Sequence, residues 1–117
     1  MAETEVLVAK IVDALQDKKG RNIITMNLTG IQGAICQYFV VCEGGSPIQV
    51  SALSDSVWDK VSDDLREKPL GAVGMKESQW IAMDYGTVIV HIFLPELRNY
   101  YNLENLWADA EVKEFTD

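Results

Sequence analysis

The chain has 117 residues, 48% of them hydrophobic and 24% charged, a composition typical of one globular domain and a length too short for two. Its 18 acidic residues outnumber its 10 basic ones, and the resulting net charge of −8 disfavours direct sequence-specific binding of nucleic acid. The apolar runs are too short to span a membrane and residues 1–5 are acidic, unlike a targeting peptide, so we expect a cytoplasmic protein without a membrane partner.

The first half of the chain predicts one helix and two strands. Apolar side chains recur at helical spacing over residues 4–17, which predicts an amphipathic helix that packs on a sheet. The only basic cluster, residues 18–21, follows at the end of this helix, where Gly20 suits a C-cap. Residues 23–28 and 38–42 are β-branched and apolar enough to form strands.

A second helix is predicted by a capping-box pattern, with Ser46 as N-cap, Pro47 in the first turn and Gln49 three residues after the cap. This helix is expected to end before Pro69, because the residue preceding a proline avoids the helical region. The following segment, residues 70–77, contains two glycines and is expected to be a mobile loop.

A β-hairpin is predicted in the second half of the chain. Two short apolar runs, residues 80–83 and 88–93, flank the turn segment 84–87, in which Gly86 can take a positive φ. An aromatic, amphipathic helical region follows, with Asn102 as a predicted N-cap.

These elements follow one another in the order α-β-β-α-β-β-α, which predicts an α/β (α+β) fold with a mixed sheet and flanking helices. Residues 1–117 are expected to form a single domain. Its acidic tail, residues 109–117, is expected to fray.

One loop invites comparison with phosphate-binding sites. The Gly44-Gly45-Ser46 segment stands between a predicted strand and a helix N-terminus, where backbone N–H groups can hold a phosphate. It lacks the lysine of a P-loop, and the nearby carboxylates Asp55, Asp59 and Asp63 fall on the polar face of a helix instead of forming the pair that holds two magnesium ions. We favour a turn and helix cap, with solvated carboxylates.

The remaining candidates for chemistry are His91, Cys36 and Cys42. The two cysteines lack CxxC spacing, and together with the single histidine they fall short of four zinc ligands, so no metal or cofactor is expected. As a general base, His91 would need a partner within hydrogen-bond reach, and the sequence offers only Asp84 or Tyr85 as guesses. A structural histidine and buried, reduced thiols are the favoured interpretations.

Aromatic residues cluster between residues 80 and 107, which hold two of the three tryptophans and three of the four tyrosines. Trp107 follows Leu103 and Leu106 at helical spacing, which favours a place in the core. Trp80 enters the hairpin directly from a polar, Gly-containing loop, and both a core edge and an exposed anchor remain open for it.

Several of these segments occur together in a known family. They are residues 14–23, residues 38–41, residues 45–46 with 49–50, residues 80–93 and residues 101–110. The most specific part is the succession of Trp80, Asp-Tyr-Gly at 84–86, Val-His at 90–91 and Tyr-x-Leu-Glu-x-Leu-Trp at 101–107. On these motifs the chain resembles the ribosomal silencing factor family, also called the Iojap family, over nearly its full length.

The resemblance implies a function without catalysis. Such proteins bind the large ribosomal subunit through its basic protein L-fourteen and block joining of the small subunit, which represses translation when nutrients are scarce. The family fold is similar to a nucleotidyltransferase core without the catalytic carboxylates. Two departures stand out, because Cys36-Gln37-Tyr38-Phe39 replaces the family's usual Ala-Asp-Tyr-Phe and Glu43-Gly44-Gly45-Ser46 replaces Thr-Gly-Asn-Ser. They put a polar role for the second loop in doubt.

The expected partner-binding residues are Trp80, Met83, Asp84 and Tyr85, with Trp80 as an anchor and Asp84 as a charge partner for Lys or Arg. Two other functions remain as alternatives. One is a nucleotide-binding or nucleotidyltransferase-like enzyme that uses the Gly44-Gly45-Ser46 loop, and the other is a homodimeric adaptor that associates through its exposed aromatic side chains.

Overall fold

The computed structural model describes residues 3–115. Its elements are, in chain order, α1 (Thr4–Asp17), β1 (Arg21–Asn27), β2 (Tyr38–Glu43), α2 (Pro47–Leu65), β3 (Gly71–Val73), β4 (Trp80–Asp84), β5 (Val88–Phe93), α3 (Pro95–Tyr101), α4 (Leu103–Leu106) and β6 (Glu111–Phe115). The six strands form one sheet in the order β3-β4-β5-β2-β1-β6. Among the strands that residues 3–115 form, only β2 and β5 pair in parallel, so the predicted mixed α/β sheet is confirmed.

The predicted helix starts and the hairpin are confirmed. At the start of α2, the Ser46 side chain accepts a hydrogen bond from the Gln49 N–H at 3.2 Å. The Gln49 side chain in turn accepts one from the Gly45 N–H at 2.7 Å, so the return bond of the predicted capping box is made to the residue that precedes the N-cap. In the turn between β4 and β5, Gly86 has a φ of 88°. Asn102 caps α4 by accepting from the Asn105 N–H at 3.3 Å.

Two strands were missed. The segment expected to be a mobile loop contains β3, which pairs antiparallel with β4, and the tail expected to fray contains β6, which pairs with β1 from Ile23↔Phe115 to Asn27↔Glu111. Neither strand has an apolar alternation, because both lie at sheet edges where most side chains meet water. Residues 116 and 117 of the tail, and residues 1 and 2 of the acidic start, lie outside the described residues.

One face of the sheet is covered by α1 and α2. Its core includes Leu7, Ile11, Leu15, Leu53, Val57, Val61, Val40, Val90 and Ile92, all nearly inaccessible to water. The two helices are also joined to each other, because the Ser56 hydroxyl donates to the Ala14 carbonyl at 2.8 Å and Lys10 pairs with Asp64 at 3.0 Å. Among the described residues, no helix is long and apolar enough to cross a membrane.

The opposite face is covered only in part. Its core contains Ile24, Met26, Leu28, Phe39, Val41 and Phe93, over which Leu97, Leu103 and Trp107 pack from the α3–α4 region. Trp107 follows α4 directly and is half-buried, with its ring edge-on to Phe39 at 6.2 Å, which agrees with the core position predicted for it. These three side chains do not cover the end of the face that β3 and β4 form.

The end of α1 differs from its expected form. Lys19, not Gly20, takes the left-handed conformation, with a φ of 57°. Gly20 is needed for a different reason, because a Cβ built on it would lie 2.4 Å from the Cys42 Sγ and 3.1 Å from the Leu15 carbonyl oxygen. The glycine therefore permits close approach of the chain to the buried Cys42.

This close approach predicts that Gly20→Ala lowers the free energy of unfolding by about 1–3 kcal/mol, because an added methyl group overpacks the site. Urea denaturation followed by circular dichroism measures the change. Gly71→Ala is the matched control, since Gly71 has no atom within 4 Å of an added Cβ, and its effect should stay within about 0.5 kcal/mol. Equal effects of the two substitutions would contradict the packing argument.

Candidate docking surface

The uncovered end of the sheet presents a small set of neighbouring side chains. Val73 pairs with Ala82 across β3 and β4, and Trp80 and Asp84 lie two residues to either side of Ala82 on the same strand face. Val73 is 67% exposed, Asp84 is exposed, Trp80 and Ala82 are half-buried, and Tyr101 at the end of α3 is 44% exposed beside them. We call these five residues the open face.

Trp80 is held in place on the open face. Its ring is stacked on Phe93 with centroids 5.0 Å apart, and Tyr101 covers it from the helix side at 4.5 Å. Its indole N–H donates to the His91 Nδ1 at 3.2 Å. A side chain fixed in this way loses little conformational freedom on binding, which is the property of an efficient interface anchor.

His91 supports Trp80 and lacks the surroundings of a general base. It lies on β5 opposite Ala82, is 7% exposed, and packs against the edge of Phe39 at a centroid distance of 4.7 Å. Burial lowers the pKa of His91 to about 4, so the ring is neutral and its Nδ1 is free to accept from the indole. Its Nε2 has no hydrogen-bond partner among the described residues, so neither Asp84 nor Tyr85 acts as one.

The four residues predicted to contact a partner lie on two different faces of the sheet. Trp80 and Asp84 belong to the open face, whereas Met83 is fully buried and Tyr85 is 7% exposed, both in the core beneath α1 and α2. The reason is the alternation of side chains along a strand, which sends Trp80, Ala82 and Asp84 one way and Met83 the other. Burial therefore removes Met83 and Tyr85 from the candidate surface.

Asp84 has a structural role besides its exposure. Its Oδ1 accepts a hydrogen bond from the Gly86 N–H at 2.7 Å, which shapes the turn between β4 and β5. The side chain is exposed, so its second oxygen remains accessible to a cationic partner. The carboxylate is thereby held at the rim of the open face.

The sequence analysis did not single out Arg98, which anchors the helix that carries Tyr101 of the open face. Only 8% exposed, it donates from Nη1 to the Asn22 carbonyl at 2.6 Å and to Glu43 at 2.9 Å, and its Nη2 lies 3.6 Å from Glu104. These contacts join α3 and α4 to β1 and β2, and α3 carries Tyr101. The available signal was that Arg98 falls within the helical stripe that Leu94, Leu97 and Tyr101 share.

Glu43 therefore has a polar role after all. Glu43 stands where the family pattern usually has Thr, and this difference had put a polar role for the loop in doubt. In the structure, the Glu43 carboxylate accepts a hydrogen bond from the buried Arg98 guanidinium, and only 12% of the Glu43 side chain is exposed. A buried guanidinium requires such a carboxylate, because an uncompensated buried charge is costly.

The two glycine N–H groups of the Gly44-Gly45-Ser46 loop are engaged by other groups of the protein. The Gly44 N–H donates to the Phe93 carbonyl at 2.9 Å, and the Gly45 N–H donates to the Gln49 Oε1 at 2.7 Å. A Cβ built on Gly45 would lie 2.1 Å from the Arg21 guanidinium, which occupies the space beside the loop. Backbone donors already engaged in this way are unavailable to a phosphate.

The described residues contain no group of three or more His, Cys, Asp or Glu side chains that could hold a metal ion. Both cysteines are free, Cys42 fully buried and Cys36 half-buried. Burial raises the pKa of the Cys42 thiol to about 12, so it stays protonated and unreactive at neutral pH.

Comparison with known proteins identifies the family. A family model described as "Ribosomal silencing factor during starvation" matches residues 1–117. The chain belongs to the ribosomal silencing factor family. The ribosomal silencing factor of Halalkalibacterium halodurans is 35% identical over 108 residues, which cover 92% of this chain and 91% of that protein. The name of the family describes a regulatory role.

The chain is also similar to a solved crystal structure and to a chloroplast protein. A crystal structure of a Chromobacterium violaceum protein superimposes with a TM-score of 0.86 at 33% identity, covering 92% of this chain and 88% of that one. The chloroplastic protein Iojap of Zea mays is 34% identical over 77 residues, covering 63% of this chain and 32% of that protein. The similarity to a nucleotidyltransferase core remains a prediction.

The engaged N–H groups of Gly44 and Gly45 predict that nucleotides do not bind at this loop. Titration of the protein with nucleoside triphosphates and magnesium, followed by isothermal calorimetry, should give no saturable heat at millimolar ligand. Ser46→Ala serves as a second measurement, because it removes the cap and should lower the free energy of unfolding by about 1 kcal/mol without changing the heat of titration. Saturable binding that Ser46→Ala abolishes would revive the enzyme alternative.

The depressed pKa of His91 predicts a loss of stability in acid. The unfolded chain takes up a proton near the ordinary pKa of 6.5, whereas the folded chain resists protonation until about pH 4. Stability contributed by neutral His91 is therefore complete above pH 6.5 and falls as the pH is lowered towards 4, by roughly 2–3 kcal/mol.

Urea denaturation at several pH values between 7 and 4 tests this dependence. His91→Gln is the matched control, because an amide oxygen can still accept from the Trp80 indole but does not titrate. The difference in unfolding free energy between the two proteins should change with pH across this window. A difference that is constant with pH would rule out the buried neutral histidine.

Proposed function

We propose that this protein binds the large ribosomal subunit through its basic protein L-fourteen and sterically blocks joining of the small subunit, which represses translation in the cytoplasm. Membership of the ribosomal silencing factor family supports a role on the ribosome. The net charge of −8 suits a basic protein partner, because complementary charge accelerates association and excludes wrong partners. No reaction is required, and we propose that the protein is not an enzyme.

The single observation that supports a docking role best is the preorganised Trp80 on the open face. A standard interface buries about 800 Å2 on each partner, and its binding energy is concentrated in a few aromatic or arginine anchors. Trp80 has apolar neighbours in Val73 and Ala82, an exposed aromatic in Tyr101 and a carboxylate in Asp84. An apolar centre with a charged rim is the usual anatomy of such an interface.

The open face also fits a partner that carries exposed Lys or Arg side chains. Asp84 stands at its rim with one free carboxylate oxygen, and Tyr101 and Trp80 offer ring faces on which a guanidinium can stack. These contacts do not require any backbone of the protein to move. Occupying the partner's surface is then enough to exclude the small subunit.

The proposal predicts that Trp80→Ala weakens binding to isolated large subunits by about 2 kcal/mol or more, roughly thirtyfold, because a central tryptophan anchor is lost. Co-sedimentation with purified large subunits over a concentration series measures the affinity. Trp58→Ala is the matched control, since Trp58 is also half-buried but lies on α2, on the other side of the sheet. Its affinity should be unchanged.

Circular dichroism of both variants establishes that each remains folded. Unchanged affinity of Trp80→Ala for large subunits would overturn the assignment of the anchor, and equal weakening by both substitutions would attribute the loss to stability. Light scattering of the protein alone addresses the homodimer alternative. A dimer that Trp80→Ala dissociates would show that the open face instead joins two copies.

A further inference from the structure

The far edge of the sheet, opposite to the open face, is a second uncovered feature. Strand β6 ends the sheet next to β1, and four of its five residues, from Glu111 to Glu114, are exposed. Alternate residues of an edge strand direct their N–H and C=O groups away from the neighbouring strand. Within the described part of the chain, no backbone hydrogen bond joins these outward groups to another segment.

A groove borders β6 on the helix side of the sheet. It has a volume of about 520 Å3 and lies between α1 and Phe115, with Val6, Ala9 and Val12 as its apolar walls. Val6 is 46% exposed, so apolar surface is accessible at this position. Lys10, Asp13 and Gln16 complete the walls of the groove. On this face β6 itself presents Glu111, Lys113 and Phe115, and the Lys113 Nζ lies 5.2 Å from the centre of the Phe115 ring. The apolar surface available to a side chain of an added strand is therefore confined to the part of the groove beside Phe115 and α1.

A different groove borders β6 on the other side of the sheet. It has a volume of about 680 Å3, and Glu104, Glu114, Asn99 and Val112 contribute to its walls beside the Arg98–Glu43 pair. The Glu104 Oε1 is buried and has no hydrogen-bond partner among the described residues, and Glu114 is exposed. After Arg98 and Glu43 neutralise each other, the charge that remains on this side is negative.

From these two grooves we infer that β6 accepts an extended segment of another protein in which apolar residues alternate with Lys or Arg. The segment adds a strand to the sheet edge, with its apolar side chains beside α1 and Phe115 and its basic side chains beside Glu104 and Glu114. Main-chain hydrogen bonds supply affinity in this mode of recognition, and the alternating side chains supply specificity. The site is separate from the open face and does not rest on the proposed function.

A second copy of this chain is the less suitable occupant. In a two-fold antiparallel pairing of β6 centred on Lys113, that lysine would stand opposite the same residue of the other copy, and directly opposed like charges are destabilising. An acidic segment would likewise meet Glu114 and Glu104. Charge repulsion therefore disfavours self-association through β6, whereas a basic strand from another protein has the complementary charge.

Short labelled peptides test this inference directly. A nine-residue peptide of alternating Val and Lys should bind with about tenfold higher affinity than a peptide of the same composition with its lysines in one block, by fluorescence anisotropy at physiological salt. Amide hydrogen exchange should show new protection of residues 111–115. A peptide of alternating Val and Glu should not bind.

Matched substitutions locate the binding site. Glu114→Gln should weaken binding of the Val-Lys peptide about threefold, and Glu114→Lys should weaken it further, whereas Glu111→Gln on the opposite strand face should change it less than about twofold. Trp80→Ala should leave it unchanged. Equal binding of the block peptide, absence of protection at residues 111–115, or indifference to Glu114→Lys would each overturn the inference.

Discussion

The buried ion pair between Arg98 and Glu43 fixes where α3 and α4 lie on the sheet. With 9% and 12% of their side chains exposed, the two residues join α3 to the end of β2, and the Asn22 carbonyl and Glu104 complete the contacts of the guanidinium. Breaking such a pair leaves an uncompensated buried charge, at a cost of about 3–5 kcal/mol. The position of Tyr101, and through it the cover over Trp80, depends on this contact.

Unequal cover of the two sheet faces explains how one small fold can be both stable and able to bind. The face beneath α1 and α2 holds the larger core, whereas the other is closed over β1, β2 and β5 but open at β3 and β4. A neutral His91 lies at the border, where its Nδ1 accepts from the Trp80 indole. Core side chains therefore contact Trp80 directly and hold its ring in a fixed position at the border of the exposed surface.

Much of the fold was predictable because its signals are local. Capping residues at Ser46 and Gln49, the turn around Gly86 and the helical spacing in α1 each arise from neighbours in sequence. Strands β3 and β6 gave no such signal, since an edge strand gains its hydrogen bonds from a distant partner and needs no apolar face. For the candidate surface, Trp80 and Asp84 could be named from sequence, whereas Val73 and Tyr101 become their neighbours only through strand pairing and helix packing.

The sequence by itself determined the family, the order of the main elements and the acidic charge, because these follow from residue types and their short-range spacing. Tertiary structure decided which aromatic and acidic side chains meet water. Met83 and Tyr85 stand beside Asp84 in the chain and yet lie in the core, while Arg98 and Glu43, 55 residues apart, form one buried pair. Whether a side chain is exposed, and which distant residue it pairs with, depends on how segments far apart in the chain pack on one another. A local sequence pattern does not contain this information.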